Sequence, residues 1–274
     1  MTQSLTDPQL FECLKKALES WPLYRSLVYT GAESTAVLPD VISIECESCN
    51  GEQRWERTNL GLGATDRSGF REATYRCRNC KERTLRIYFY WSRIKDEFLF
   101  EKVGQYPPLE ERLPALLQKQ LEGQDLDFYK KALRCRNFNY GLAALAYLRR
   151  VVENRMNDLL DLIAESAKQS GFAEETLKRL EQVKASRVFD EKVTYATLIL
   201  PPHLRPDGQN PIDLLHDIAS EGIHSKSDEE CLDTFDRSRI VFENLFMKLK
   251  ISAAEAKDFA EKLKKLHRKP SAKS

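Results

Sequence analysis

Two short cysteine pairs, Cys46-x-x-Cys49 and Cys77-x-x-Cys80, separated by 27 residues, constrain the fold of this chain more than any other feature. Two thiolates from each of two tight turns can meet at one tetrahedral ion. The x-x spacing suits a backbone that reverses within the pair, and Asn50-Gly51 directly after the first pair is a turn signature. Each pair also ends or opens a run with strand character. The spacing therefore predicts one structural zinc ion held by Cys46, Cys49, Cys77 and Cys80. A redox dithiol is the competing reading. Four thiolates saturate the ion, whereas a catalytic zinc keeps an open position and uses fewer protein ligands. The expected role of the metal is to order a small β-domain with little core of its own. Cys13, Cys135 and Cys231 fall in predicted helices and read as ordinary buried cysteines.

The hydrophobic period changes along the chain. Asp7-Pro8 looks like a cap and first-turn proline for a helix over 8–19, with Leu10, Phe11, Leu14 and Leu18 at helical spacing. Residues 21–38 read as irregular. Strands are expected at 41–45, 53–58, 71–76, 83–94 and 98–103. In the fourth of these, Leu85, Ile87, Phe89 and Trp91 share one face, and Arg86, Tyr88 and Tyr90 the other. The glycine-containing stretch 59–69 reads as a loop, and Tyr106-Pro107-Pro108 as a boundary.

Beyond it the pattern is helical. A short helix is expected near 110–122, another capped by Asp125, and a long one over 140–165. The long one carries a stripe of Leu145, Leu148, Val152, Met156, Leu159, Leu160 and Ile163. Leu177, Leu180 and Val183 begin the next, and 188–200 leans helical. Asn210-Pro211 and the capping boxes Ser227/Glu230 and Ser252/Glu255 predict helices over 211–222, 228–249 and 253–267. The expected fold is α+β: a four-cysteine zinc ribbon of antiparallel β-structure joined to a mainly α-helical bundle. The expected segments are 1–38 (helix and linker), 39–107 (ribbon), 108–250 (bundle) and 251–274 (helix and basic tail).

The 274 residues are 42% hydrophobic and 31% charged, which suits a folded chain of one large or two ordinary domains. A formal net charge of +1 gives no global field that would attract nucleic acid, so only a local patch could. Residues 71–95 supply one. Arg71, Arg76, Arg78, Lys81, Arg83, Arg86, Arg93 and Lys95 outnumber Glu72 and Glu82, with Tyr75, Tyr88 and Tyr90 interleaved. Arginines neutralise phosphates and aromatic rings stack on unpaired bases. Arg76, Arg78, Arg83, Arg86 and Tyr88 are therefore candidate contacts to single-stranded or structured nucleic acid. The competing reading pairs these arginines with the acidic helical half and buries the aromatics in the ribbon. The first twenty residues lack the apolar core of a secretory signal, and no apolar run approaches the roughly 18–20 residues needed to cross a bilayer. A cytoplasmic protein with no membrane association is expected, and there metal is favoured over disulfides.

Three stretches, KVGQYPPLE at 102–110, YGLAALAYLRRVVEN at 140–154 and NPIDLLHDIASEGIHSKSDEECL at 210–232, together resemble an uncharacterised bacterial family with an N-terminal zinc ribbon and a C-terminal helical domain. The helical part also resembles the HEPN superfamily, the helical bundles of many toxin and defence RNases. That resemblance implies a catalytic Arg and His near a helix end. His224 sits where the histidine would be, but the arginine position is not filled, since 214–219 read LLHDIA. Arg149 and Arg150 are the candidate substitutes, with Glu153 or Glu221 to orient or neutralise them. A helix-terminal structural histidine is the simpler account of His224, and His216 is expected to face out or pack on the bundle. The resemblance also implies a setting in bacterial stress or phage defence. The reading that follows is a non-catalytic zinc-binding module for nucleic acid or a protein partner. The alternatives are a metal-independent HEPN-like RNase and a structural or regulatory interaction protein. A homodimer through bundle helices is a further expectation.

Overall fold

The computed structural model describes residues 3, 4, 6–30, 38–59, 68–109, 113, 115–169, 174–213, 215 and 226–267. The chain is α+β and divides into two compact units: Met1–Glu111 with Arg136–Asn139, and Arg112–Cys135 with Tyr140–Ser274.

The first unit is a sheet with one helix. Its elements are β1 (Gln3–Ser4), α1 (Asp7–Ser20), β2 (Ser26–Thr30), β3 (Val41–Cys46), β4 (Gly51–Arg57), β5 (Gly69–Cys77), β6 (Thr84–Ile94) and β7 (Glu97–Tyr106). The order across the sheet is β1-β2-β7-β6-β5-β4-β3, antiparallel except for the two-residue β1. Strand β2 corrects the expectation that 21–38 is irregular. Five residues, SLVYT, are too short to show a period convincingly. What makes them a strand is pairing with β7, Leu27 opposite Phe100 and Tyr29 opposite Phe98. The α1 cap is also one residue earlier than expected: Thr6 precedes the helix, and its N–H donates to Gln9 Oε1 at 3.0 Å.

Alternation along the strands sorts the side chains onto two faces. Ile42, Trp55, Ala73, Tyr75, Leu85, Ile87, Phe89, Phe98 and Phe100 are buried with Leu10, Leu14, Ala17 and Leu18 of α1 in one core. Tyr75 completes its burial by donating its hydroxyl to Pro39 O at 2.8 Å. Trp91 is only half-buried at the margin of that core. The opposite face of β5 and β6 carries Phe70, Glu72, Thr74 and Arg76, and Arg86, Tyr88 and Tyr90.

The second unit is helical: α2 (Ala115–Gln120), α3 (Gln124–Asn137, whose last two residues group with the first unit), α4 (Gly141–Gln169), α5 (Glu174–Leu177), α6 (Leu180–Ala185), α7 (Phe189–Ile199) and α8 (Asp228–His267). Asp125 lies inside the first turn of α3 rather than capping it. The expected stripe of α4, from Leu145 to Ile163, is buried throughout. It packs with Phe235, Phe242, Leu245, Phe246 and Leu249 of α8. Helix α8 corrects the expectation of two helices. The Ser227/Glu230 box is present, with Ser227 N–H donating to Glu230 Oε2 at 2.8 Å, but Ser252 lies inside a continuous 40-residue helix. A capping box needs a break in the hydrogen-bond ladder to cap, and nothing in 249–253 stops propagation.

Gly141 fixes how α4 meets α8. A Cβ there would lie 1.9 Å from Asp228 O, while Asp228 Oδ1 accepts the Leu142 N–H at 2.8 Å. Backbone is against backbone, so no side chain can move aside. Gly141→Ala is expected to destabilise the helical unit by about 3 kcal/mol, outweighing the roughly 1 kcal/mol that alanine gains in helix propensity. Denaturant unfolding followed by circular dichroism checks this, and a neutral or stabilising result would disprove the close approach.

Candidate metal centre

In the meander β3–β4–β5–β6 alternate turns fall at the same end of the sheet. The β3–β4 and β5–β6 turns are therefore neighbours, and β4 pairs β5 with Trp55 opposite Cys77. Cys46 closes β3 and Cys77 closes β5, so both pairs sit where their strands end. The first turn is a short 3-10 segment, Glu47–Cys49, ended by Asn50 in the left-handed region (φ 52°) before Gly51 resumes the sheet. In the second, Lys81 has φ 60° and Cys77 N–H donates to Arg83 O at 3.1 Å. Arg78 N–H donates to Arg54 O at 2.9 Å, tying the second turn to β4.

The four sulfurs all lie within 4.8 Å of one another. Cys46 Sγ is 3.8 Å from Cys80 Sγ, and Cys49 Sγ is 3.8 Å from Cys77 Sγ. A tetrahedron with metal–sulfur bonds of about 2.3 Å has edges of about 3.8 Å. A disulfide needs about 2.0 Å, and all four cysteines are unpaired. The donor set therefore fits a single metal ion in tetrahedral coordination.

The surroundings distinguish the two ends of the cluster. Cys80 is held down to about 7, below the usual thiol value, because the backbone N–H groups of Arg83 and Glu82 stabilise its thiolate. Cys46 is pushed up to about 12, chiefly by burial, although the Cys49 backbone N–H opposes this. A buried thiolate needs a cation, and a coordinated thiol is deprotonated outright. Asn79 Nδ2 lies 3.3 Å from Cys49 Sγ. Outside the cluster, Cys231 is buried as expected, whereas Cys13 and Cys135 are half-buried at the margins of their cores.

The candidate nucleic-acid residues divide. Arg76, Arg78, Arg86 and Tyr88 are exposed, and Arg83 is half-buried. The acids that meet them come from the sheet itself. Arg83 pairs with Glu47, Arg78 Nε lies 3.5 Å from Glu56, and Arg86 Nε lies 3.8 Å from Glu72. Arg54 and Arg76 have no ion pair among the described residues. Cross-strand register adds two aromatic groups, Phe70 and Tyr106, to the Tyr88 and Tyr90 expected on this face. The outward rows are Thr74–Arg86–Tyr106, Glu72–Tyr88–Gly104 and Phe70–Tyr90–Glu101. Phe70 is 72% exposed, Tyr106 68% and Tyr88 37%. Phe70 and Tyr90 meet edge to face at 5.2 Å. A β-bulge between Tyr88 and Phe89 puts Gly104 opposite Tyr88 and turns Tyr106 outward beside Arg86. Alternation in β6 alone placed Tyr88 and Tyr90 on this face; Phe70 and Tyr106 needed the register.

His224, His216 and Glu221 lie outside the described residues. Arg149 Nε donates to Glu153 Oε1 at 2.8 Å, and Arg150 lies 3.9 Å from the same carboxylate. No helix among the described residues is long and apolar enough to cross a membrane. No family model, curated protein or solved structure matches the chain.

Proposed function

We propose that the chain is a non-catalytic zinc-binding protein whose first unit, a zinc ribbon, binds single-stranded nucleic acid on the outer face of β5, β6 and β7, with the second unit acting as a helical bundle for assembly. The observation that carries this reading is the group of exposed rings Phe70, Tyr88 and Tyr106 on three inner strands of the sheet, interleaved with Arg76 and Arg86. Rings left uncovered together on one face of a sheet mark an interaction surface. Zinc is the metal favoured by four thiolates at tetrahedral spacing. A saturated ion of this kind holds the two turns and takes no part in chemistry.

Charge balance on this face predicts how the ligand is held. Most of the arginines already face an acid, so stacking rather than phosphate neutralisation dominates. Each stacked base contributes about 1–3 kcal/mol, so Tyr88→Ala and Tyr106→Ala should each weaken binding roughly 5- to 150-fold. The two arginines without ion pairs, Arg54 and Arg76, imply a shallow salt dependence, with a slope of log K against log salt of about −1 to −2. Fluorescence anisotropy with single-stranded and duplex DNA and RNA measures both. Absence of binding to any of the oligonucleotides, or binding indifferent to the aromatic substitutions, rejects the reading and leaves a protein partner for this face.

A further inference from the structure

We propose that the last 18 residues of α8, 250–267, pair antiparallel with the same segment of a second copy of the chain. This inference is independent of the nucleic-acid reading.

The upstream part of α8 buries one seam. Cys231, Phe235, Ser238, Phe242, Leu245 and Leu249, each at most 4% exposed, succeed one another at alternating steps of four and three residues. That 3.5-residue period keeps a seam facing a partner helix. The sequence continues the same steps without interruption through Ser252, Ala256, Phe259, Leu263 and Leu266. Here, however, the seam residue Phe259 is 64% exposed. The seam thus runs on past the core that covers its first half. A free helical end of this length is marginal in water unless its apolar side is covered.

Size and charge both choose the occupant and its direction. In an antiparallel pair centred between positions 257 and 258, Phe259 faces Ala256 of the second copy, and Leu263 faces Ser252 of the second copy. Large residues then meet small ones in the central layers, 259 with 256 and 263 with 252. The same register sets Glu255 against Lys262 of the second copy, twice by symmetry, and brings the small flanking positions 253 and 260, both alanine, together. Glu255 and Lys262 are both exposed, and Lys262 already pairs at 2.6 Å with Asp258 on its own helix, which leaves an accessible ammonium to share. A parallel pair would set Phe259 against itself, Ala256 against itself and Glu255 against an alanine. The antiparallel arrangement is an isologous interface, which closes at two copies.

Sedimentation equilibrium on the full chain tests this. A concentration-dependent monomer–dimer equilibrium is expected. Phe259→Glu should weaken it at least tenfold while leaving the melting temperature of the helical unit unchanged. Glu255→Lys alone should weaken the dimer several-fold, and the double exchange Glu255→Lys/Lys262→Glu should restore it. Restoration is specific to antiparallel pairing, which general loss of helix does not produce. A monomer at every concentration overturns the proposal, as does a dimer indifferent to Phe259→Glu. So does a monomer that instead sediments with phosphatidylserine-containing vesicles through this lysine-rich segment.

Discussion

Removing the metal with a chelator is expected to lower the melting temperature of the first unit by at least about 15 °C. A metal bound at a thousandfold over its dissociation constant stabilises the folded state by about 4 kcal/mol. At this domain size each kcal/mol moves the midpoint by about 4–8 °C. Full unfolding is not expected, because Leu14, Tyr75, Phe89 and Phe100 form a core beneath the sheet that does not depend on the cysteines. Cys46→Ser and Cys77→Ser should reproduce the loss, since both residues are only 1% exposed. Metal analysis should return one zinc per chain in the wild type and none in these variants. Binding must also release protons. Before ligation the Cys46 thiol titrates at about 12 and Cys80 at about 7. Below pH 7 both thiols are protonated and both must ionise to bind, so affinity should fall by at least tenfold per pH unit, and more steeply below pH 7 than above it. A chain without metal at neutral pH, or a melting point indifferent to chelation, removes the centre.

Lys102→Met is expected to stabilise the same unit, and to do so most at neutral and acidic pH. Lys102 is fully buried in β7, and its Nζ lies 3.4 Å from both Leu18 O and Trp21 O at the end of α1. Those carbonyls are the negative end of the helix dipole, but long contacts to them do not replace hydration. Burial chiefly, with the nearby Arg136 charge, pulls its pKa from 10.5 down to about 7. The sign follows from proton counts. Between pH 7 and 10.5 the unfolded chain carries this proton and the folded chain does not, so stability rises with pH across that window. Below pH 7 both states carry it and the full penalty stays. Each pKa unit is about 1.4 kcal/mol. After allowing for the lost contacts to the two carbonyls, methionine should gain about 2–4 kcal/mol at pH 6. The two proteins should converge near pH 10.5. Parallel stability curves across this range would show that the lysine is not buried with its charge.

Of the four-cysteine cluster, nearly everything was legible in the sequence. Paired cysteines at x-x spacing declare a knuckle, because so short a loop leaves the backbone few conformations. That the knuckles would meet was legible as well, since a four-strand meander puts its first and third turns at one end. The alternation of β6 and the stripe of α4 were equally plain, because both periods are local properties of a chain. Three things were not. Strand β2 exists by virtue of its neighbour β7. The continuity of α8 past Ser252 depends on helix propagation outweighing a local capping signal. The exposed aromatic face draws Phe70, Tyr88 and Tyr106 from three strands, and their rows depend on register and on one bulge. The amino-acid order alone thus determined which four cysteines cluster and which side of each element is apolar, since those follow from spacing within a few residues. Tertiary structure decided which strands lie side by side and which outward groups become neighbours. Register is set by long-range pairing, where a shift of one residue exchanges the two faces.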